Sequence, residues 1–156
     1  MFLDLLERSL EIYDVRLLCY VLMSNHFHLV IQTSRPNLSE FMRHFNVSYI
    51  GAFNKRHRRS GHLYQGRYHA TVVERDPYLM EVSRYLHLNP VRVKAVKQKG
   101  AAEAEKVLAG YRWSSYRGYI HVRRREPFVD YSELRERRGQ VYTLTKLSFH
   151  DINGAS

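Results

Sequence analysis

The chain is 156 residues long, with 25 Lys/Arg against 15 Asp/Glu, a net charge of +10, and a single cysteine. That length suits one domain with a buried core, and no apolar run approaches the length of a membrane span. Lone Cys19 excludes an internal disulfide, and the acid-containing start Met1 to Arg8 has no basic opening of a secretory signal, so a reducing cytoplasm is the expected compartment.

Phe2, Leu5, Leu6, Leu10 and Tyr13 recur at helical spacing and predict an amphipathic helix over residues 2–13. Val15 to Leu22 and His26 to Thr33 are β-branched and aliphatic, with Met23-Ser24-Asn25 between them as the turn of a hairpin. Pro36-Asn37 opens a second helix, whose apolar stripe Leu38, Phe41, Phe45, Tyr49 and Phe53 runs to about Arg58 before Ser60-Gly61 ends it. Residues 61–67 read as a loop and Tyr68 to Glu74 as a third strand. Asp76-Pro77 then starts a helix that Pro90 halts near Leu88 or Asn89. Short helices are expected at 101–108 and 113–120, followed by a basic, then polar, partly disordered extension from residue 121 to 156. This order predicts an α+β fold with an antiparallel sheet.

The charge is unevenly spread. Residues 1–50 carry four cations and five anions, and residues 51–156 carry the remaining 21 and 10. Lys55, Arg56, Arg58 and Arg59, the run Arg123-Arg124-Arg125, and Arg135 to Arg138 hold the densest clusters, with tyrosines between them. Guanidinium forks suit phosphates and aromatic faces suit unstacked bases, so a polyanionic partner is expected rather than a membrane.

His26-Phe27-His28 lies on the second strand. Strand side chains alternate faces, so the two imidazoles share one face and make half of a metal site. The helix of residues 77–89 brings Tyr85 and Asn89 to one face, four residues apart. Two imidazoles and an amide oxygen suit Mg²⁺ or Mn²⁺ acting as a Lewis acid on a phosphate. A phenol, whose reference pKa is about 10, becomes a nucleophile beside such a group. Spacing alone does not choose between Tyr85 and Tyr78, seven residues earlier, and His87 points away from the Tyr85–Asn89 face. Cys19 reads as a small core hydrophobe.

The segment Tyr20-Val-Leu-Met-Ser-Asn-His-Phe-His28-Leu-Val-Ile resembles the His-hydrophobe-His strand of single-tyrosine HUH transposases. Ser60-Gly-His-Leu-Tyr-Gln-Gly-Arg67, Arg84-Tyr85-Leu-His-Leu-Asn89-Pro90-Val91-Arg92 and Tyr111-Arg-Trp-Ser-Ser-Tyr116 resemble the branch called REP-associated tyrosine transposases. The similarity spans roughly residues 1–120, leaving 121–156 as an extension. It implies a ferredoxin-like sheet, and a bacterial, nucleoid-associated enzyme that cuts single-stranded DNA next to a hairpin. By the same resemblance, His26, His28 and Asn89 would hold the metal. Tyr85 would form a 5′-phosphotyrosine and leave a free 3′-OH. Gln65 and Arg67 would contact DNA or support the site, and Arg92 with Lys55, Arg56, Arg58 and Arg59 would contact phosphates.

The resemblance also implies a departure. Relatives carry a strand before the first helix, which this sequence lacks. That strand is central in a ferredoxin-like sheet, so its absence is expected to leave unpaired backbone groups beside the hairpin. The expectation is a fragment, an internal-start product or a decayed copy, or else a strand borrowed from a second copy in a homodimer. A catalytically inactive module that binds DNA or RNA hairpins is the alternative from another class, and a hydrolase of small phosphoesters is a third.

Overall fold

A computed structural model describes residues 1–64, 66–73, 76–92, 100–132 and 142–148. Helix α1 (Phe2–Tyr13) ends where Asp14 turns left-handed, at φ 52°, and the Asp14 carboxylate accepts a 2.8 Å hydrogen bond from Ser34. Strands β1 (Val15–Leu22) and β2 (His26–Thr33) then form the expected antiparallel hairpin. Helix α2 (Leu38–His57) buries Phe41, Met42, Phe45 and Phe53, and a left-handed Arg58 stops it. Strand β3 (His69–Val73) and helix α3 (Asp76–His87) follow, and a 3-10 turn at Asn89–Val91 carries the Pro90 that ends the helical run. Helices α4 (Ala101–Gly110) and α5 (Tyr116–Ile120), a 3-10 turn at Val122–Arg124, and strand β4 (Tyr142–Ser148) complete the described chain.

The sheet has four antiparallel strands in the order β1-β2-β4-β3. Phe27, Leu29 and Ile31 of β2 face α1 and α2 and join Leu6, Leu10, Phe41, Met42 and Phe45 in the larger core. Val30 faces the other way, into a second core with Leu79, Val82 and Leu86 of α3. Pairing slips between Leu17 and Cys19, which leaves Leu18 as an extra residue opposite Val30. This bulge puts both Leu18 and Cys19 on the α3 side, while Leu17 and Tyr20 stay on the α1–α2 side. Burial there pushes the Cys19 thiol up to about 12, in keeping with a packing role.

The extension differs from its sequence reading. β4 takes the central place between β2 and β3, with His28 opposite Lys146 and Ala70 opposite Thr145. The backbone groups of β2 that the lack of a first strand was expected to expose are therefore paired. Trp113 and Asp130 are also built into the fold. The Leu22 amide donates to the Trp113 carbonyl (2.8 Å) and the Asp130 amide to the Leu17 carbonyl (2.8 Å), so these residues cover the outer edge of β1. Arg16 pairs with Asp130, and Tyr20 donates to Glu126 at 3.0 Å. The expected disorder of the last residues and the Arg135 to Arg138 cluster lie outside the described residues.

Candidate active site

Alternation along β2 sends His26 and His28 to the face that carries α3. Their rings lie edge to face with centroids 5.0 Å apart. His28 is buried at 2% exposure, and His26 at the strand's start is half-buried. Asn25, in the hairpin turn, accepts a 2.7 Å hydrogen bond from His26 Nδ1. An amide oxygen only accepts, so Nδ1 is the donor, and in the neutral ring the lone pair lies on Nε2.

Helix α3 delivers Tyr85 to the same place. Its ring centroid is 6.1 Å from that of His28, nearly perpendicular to it, and the residue keeps 41% exposure. Arg92, just past the 3-10 turn, lays its guanidinium over the Tyr85 ring, 4.3 Å from the centroid. Tyr78 is more exposed, at 53%, and the ring that meets His28 is that of Tyr85.

Asn89 caps the end of α3. Its Nδ2 donates to the carbonyls of Tyr85 (3.0 Å) and Leu86 (3.1 Å). With both N–H groups committed to the helix, Oδ1 is the atom left to accept from, or ligate, anything outside it. Among the described residues no three His, Cys, Asp or Glu side chains come together as a metal cluster. The Asn89 amide is an oxygen donor of another kind. Two imidazoles and one amide oxygen fit Mg²⁺ or Mn²⁺.

His87 belongs to the core. Its ring hydrogen-bonds Ser83 (3.3 Å) through Nδ1 and Ser115 (2.9 Å) through Nε2, and burial pushes its pKa down to about 4. Ser115 also accepts from the Tyr20 amide at 3.0 Å, which ties α3 to β1 through one hydroxyl. Lys55, Arg56, Arg58 and Arg59 are all exposed at the end of α2, away from the histidine pair in sequence and on the element that covers the opposite sheet face. Arg67 is exposed beside α2. Gln65 lies outside the described residues. Sequence reasoning missed Asn25, which it took only as a turn residue, and the stacking role of Arg92.

A hairpin strand with paired histidines, crossed by a helix that presents a tyrosine, defines a protein class by its fold and site together. The family model described as "Transposase IS200 like" matches residues 1–89, a span that includes His26, His28, Tyr85 and Asn89. The chain belongs to the IS200-like transposase family. No curated protein and no solved structure matches it.

Proposed function

We propose that the chain is a metal-dependent single-stranded DNA endonuclease and strand transferase of the REP-associated branch, acting next to DNA hairpins. The observation that carries this reading is the half-exposed Tyr85 phenol set against His28 of the histidine pair. His26, His28 and Asn89 would hold Mg²⁺ or Mn²⁺. The bound ion supplies Lewis acidity to the scissile phosphate. Tyr85 Oη attacks phosphorus and the P–O3′ bond breaks. The DNA 5′ end stays on Tyr85, and the 3′-oxygen leaves as a hydroxyl carrying the equivalent of the phenol's proton. A 3′-OH from another end reverses the step and frees Tyr85. Arg92 holds the phenol ring in place and carries a positive charge to the developing phosphorane. Among the described residues no helix is long and apolar enough to cross a membrane.

The test is a labelled hairpin-flanking single strand incubated with Mn²⁺ and run on a denaturing gel. The expected result is a covalent protein–DNA adduct that Tyr85→Phe abolishes and Tyr78→Phe leaves intact. An adduct that persists in Tyr85→Phe removes Tyr85 from the chemistry. DNA binding with no adduct, unaffected by His26→Ala, favours a hairpin-binding module without catalysis.

A further inference from the structure

A second candidate site lies against α2. Ser39, Arg43, Asn46 and Ile50 recur at spacings of four, three and four, so they form one stripe of that helix. This stripe and the loop leading into β3 enclose a cleft of about 580 Å³. The loop contributes His62, Tyr64, Arg67 and Tyr68, and among the described residues no carboxylate lines the cleft. Tyr64 is buried and packs edge-on against Phe27, which places this wall on the α1–α2 side of the sheet, opposite the histidine pair. Tyr68 is held by a 3.2 Å hydrogen bond between its hydroxyl and that of Ser39. Arg43 and Arg67 are both exposed at the mouth.

Asn46 is the informative member. Its Oδ1 is buried and accepts no hydrogen bond from the described residues. Buried polar atoms are ordinarily paired, so an amide carbonyl left this way at the wall of a cleft gains from a ligand that offers an N–H. An asparagine amide offers a donor and an acceptor side by side, and this pattern matches adenine, which displays an amino group next to a ring nitrogen. Aromatic walls suit a base taken out of its stack, and guanidinium groups at the mouth suit the attached phosphate.

We propose that this cleft binds one unstacked nucleotide with an amino-bearing base, adenine fitting best, read by Asn46 and held by its phosphate on Arg43 and Arg67. The inference rests on the single-stranded DNA reading above and adds to it a base-reading pocket separate from the cleavage site. DNA engaging both sites would pass the exposed edge strand β3.

The test is an NMR titration of the whole isotope-labelled chain with dAMP and, separately, dTMP, following the Asn46 side-chain amide. The expected result is saturable movement of that resonance by dAMP, with an apparent Kd about tenfold lower than for dTMP. Asn46→Leu should erase the difference, and Arg43→Ala should weaken both nucleotides while keeping it. Equal response to the two nucleotides, or none at Asn46, overturns the proposal. The adduct assay separates this from the cleavage reading. An adduct with an unmoved Asn46 sinks the pocket alone, and a selective Asn46 response without an adduct sinks strand transfer alone. Neither signal removes both.

Discussion

Asn25 accepts a hydrogen bond from His26 Nδ1, so in the proposed metal site Nε2 would be the ligating nitrogen. Outer partners of this kind set ring tautomer and orientation, and losing one typically costs about 10–100-fold in metal affinity. Asn25→Ala is therefore expected to weaken Mn²⁺ binding by that order in isothermal calorimetry. The fold should hold, because Asn25 is exposed. An unchanged affinity would show that the turn amide does not orient the ligand. His87 has the opposite role. Its pKa is about 4 in the folded chain against an ordinary 6.5. Above pH 6.5 the ring is neutral in both states and the protein has its full stability. As pH falls from 6.5 toward 4, the unfolded chain takes up a proton that the folded chain refuses, so stability drops by up to about 3 kcal/mol. Urea unfolding between pH 7 and pH 4 should show that loss, and His87→Gln, though less stable at pH 7, should show a shallower slope. Spacing correctly separated His87 from Tyr85 and Asn89. The hydroxyl of Ser115 that holds it comes from 28 residues away, a pairing no local pattern displays.

At the scale of elements, α1, α2 and α3 were legible from the apolar period each carries into a core it helps to build, and β1 and β2 from short β-branched and aliphatic runs on either side of a turn. The bulge at Leu18 was not, since an unbroken apolar run such as Leu17 to Leu22 has no alternation to interrupt. The aromatic segment 113–120 was expected to be helical throughout. Only Tyr116–Ile120 is helical, because Trp113 and Ser115 spend their backbone groups on the edge of β1. Helix α5 also depends on a single small residue. A Cβ at Gly118 would overlap the Tyr131 ring, whose hydroxyl is held by Glu126 and cannot withdraw without breaking that bond. Gly118→Ala should destabilise the protein by about 1–3 kcal/mol, the usual cost of overpacking a filled site. The gain in helix propensity, about 1 kcal/mol, offsets only part of this. A melting temperature equal to that of the parent chain would mean that Tyr131 has room to move.

For the whole molecule, the decisive strand is the last one. The composition of residues 121–156 reads as a polar, basic tail, because Thr143, Thr145, Lys146 and Ser148 dilute the apolar content of β4. What places β4 is non-local. β2 and β3 each need a partner between them, and among the described residues β3 pairs with β4 alone. The same chain can supply it. Val129 bridges to Leu17 of β1, level with the Thr143 end of β4, and three strand spacings separate them, about 14 Å. The ten residue steps from Ser132 to Tyr142 reach at most about 33 Å, so a second copy is not required by geometry. Proline distinguishes a central strand from a tail, since it removes a ladder donor and is tolerated only at edges or bulges. Thr145 faces Leu29 on one side and Ala70 on the other. Thr145→Pro, which removes a ladder donor from a central strand, is therefore expected to cost about 1–3 kcal/mol, and Thr145→Ala no more than about 1 kcal/mol. Since β2 carries both histidines, the proline variant should also lose the Tyr85–DNA adduct. If Thr145→Pro melts and reacts like the parent chain, residues 142–148 do not complete the sheet in solution. If it fails but the parent's melting temperature rises with protein concentration, the strand is exchanged between two copies rather than folded back within one.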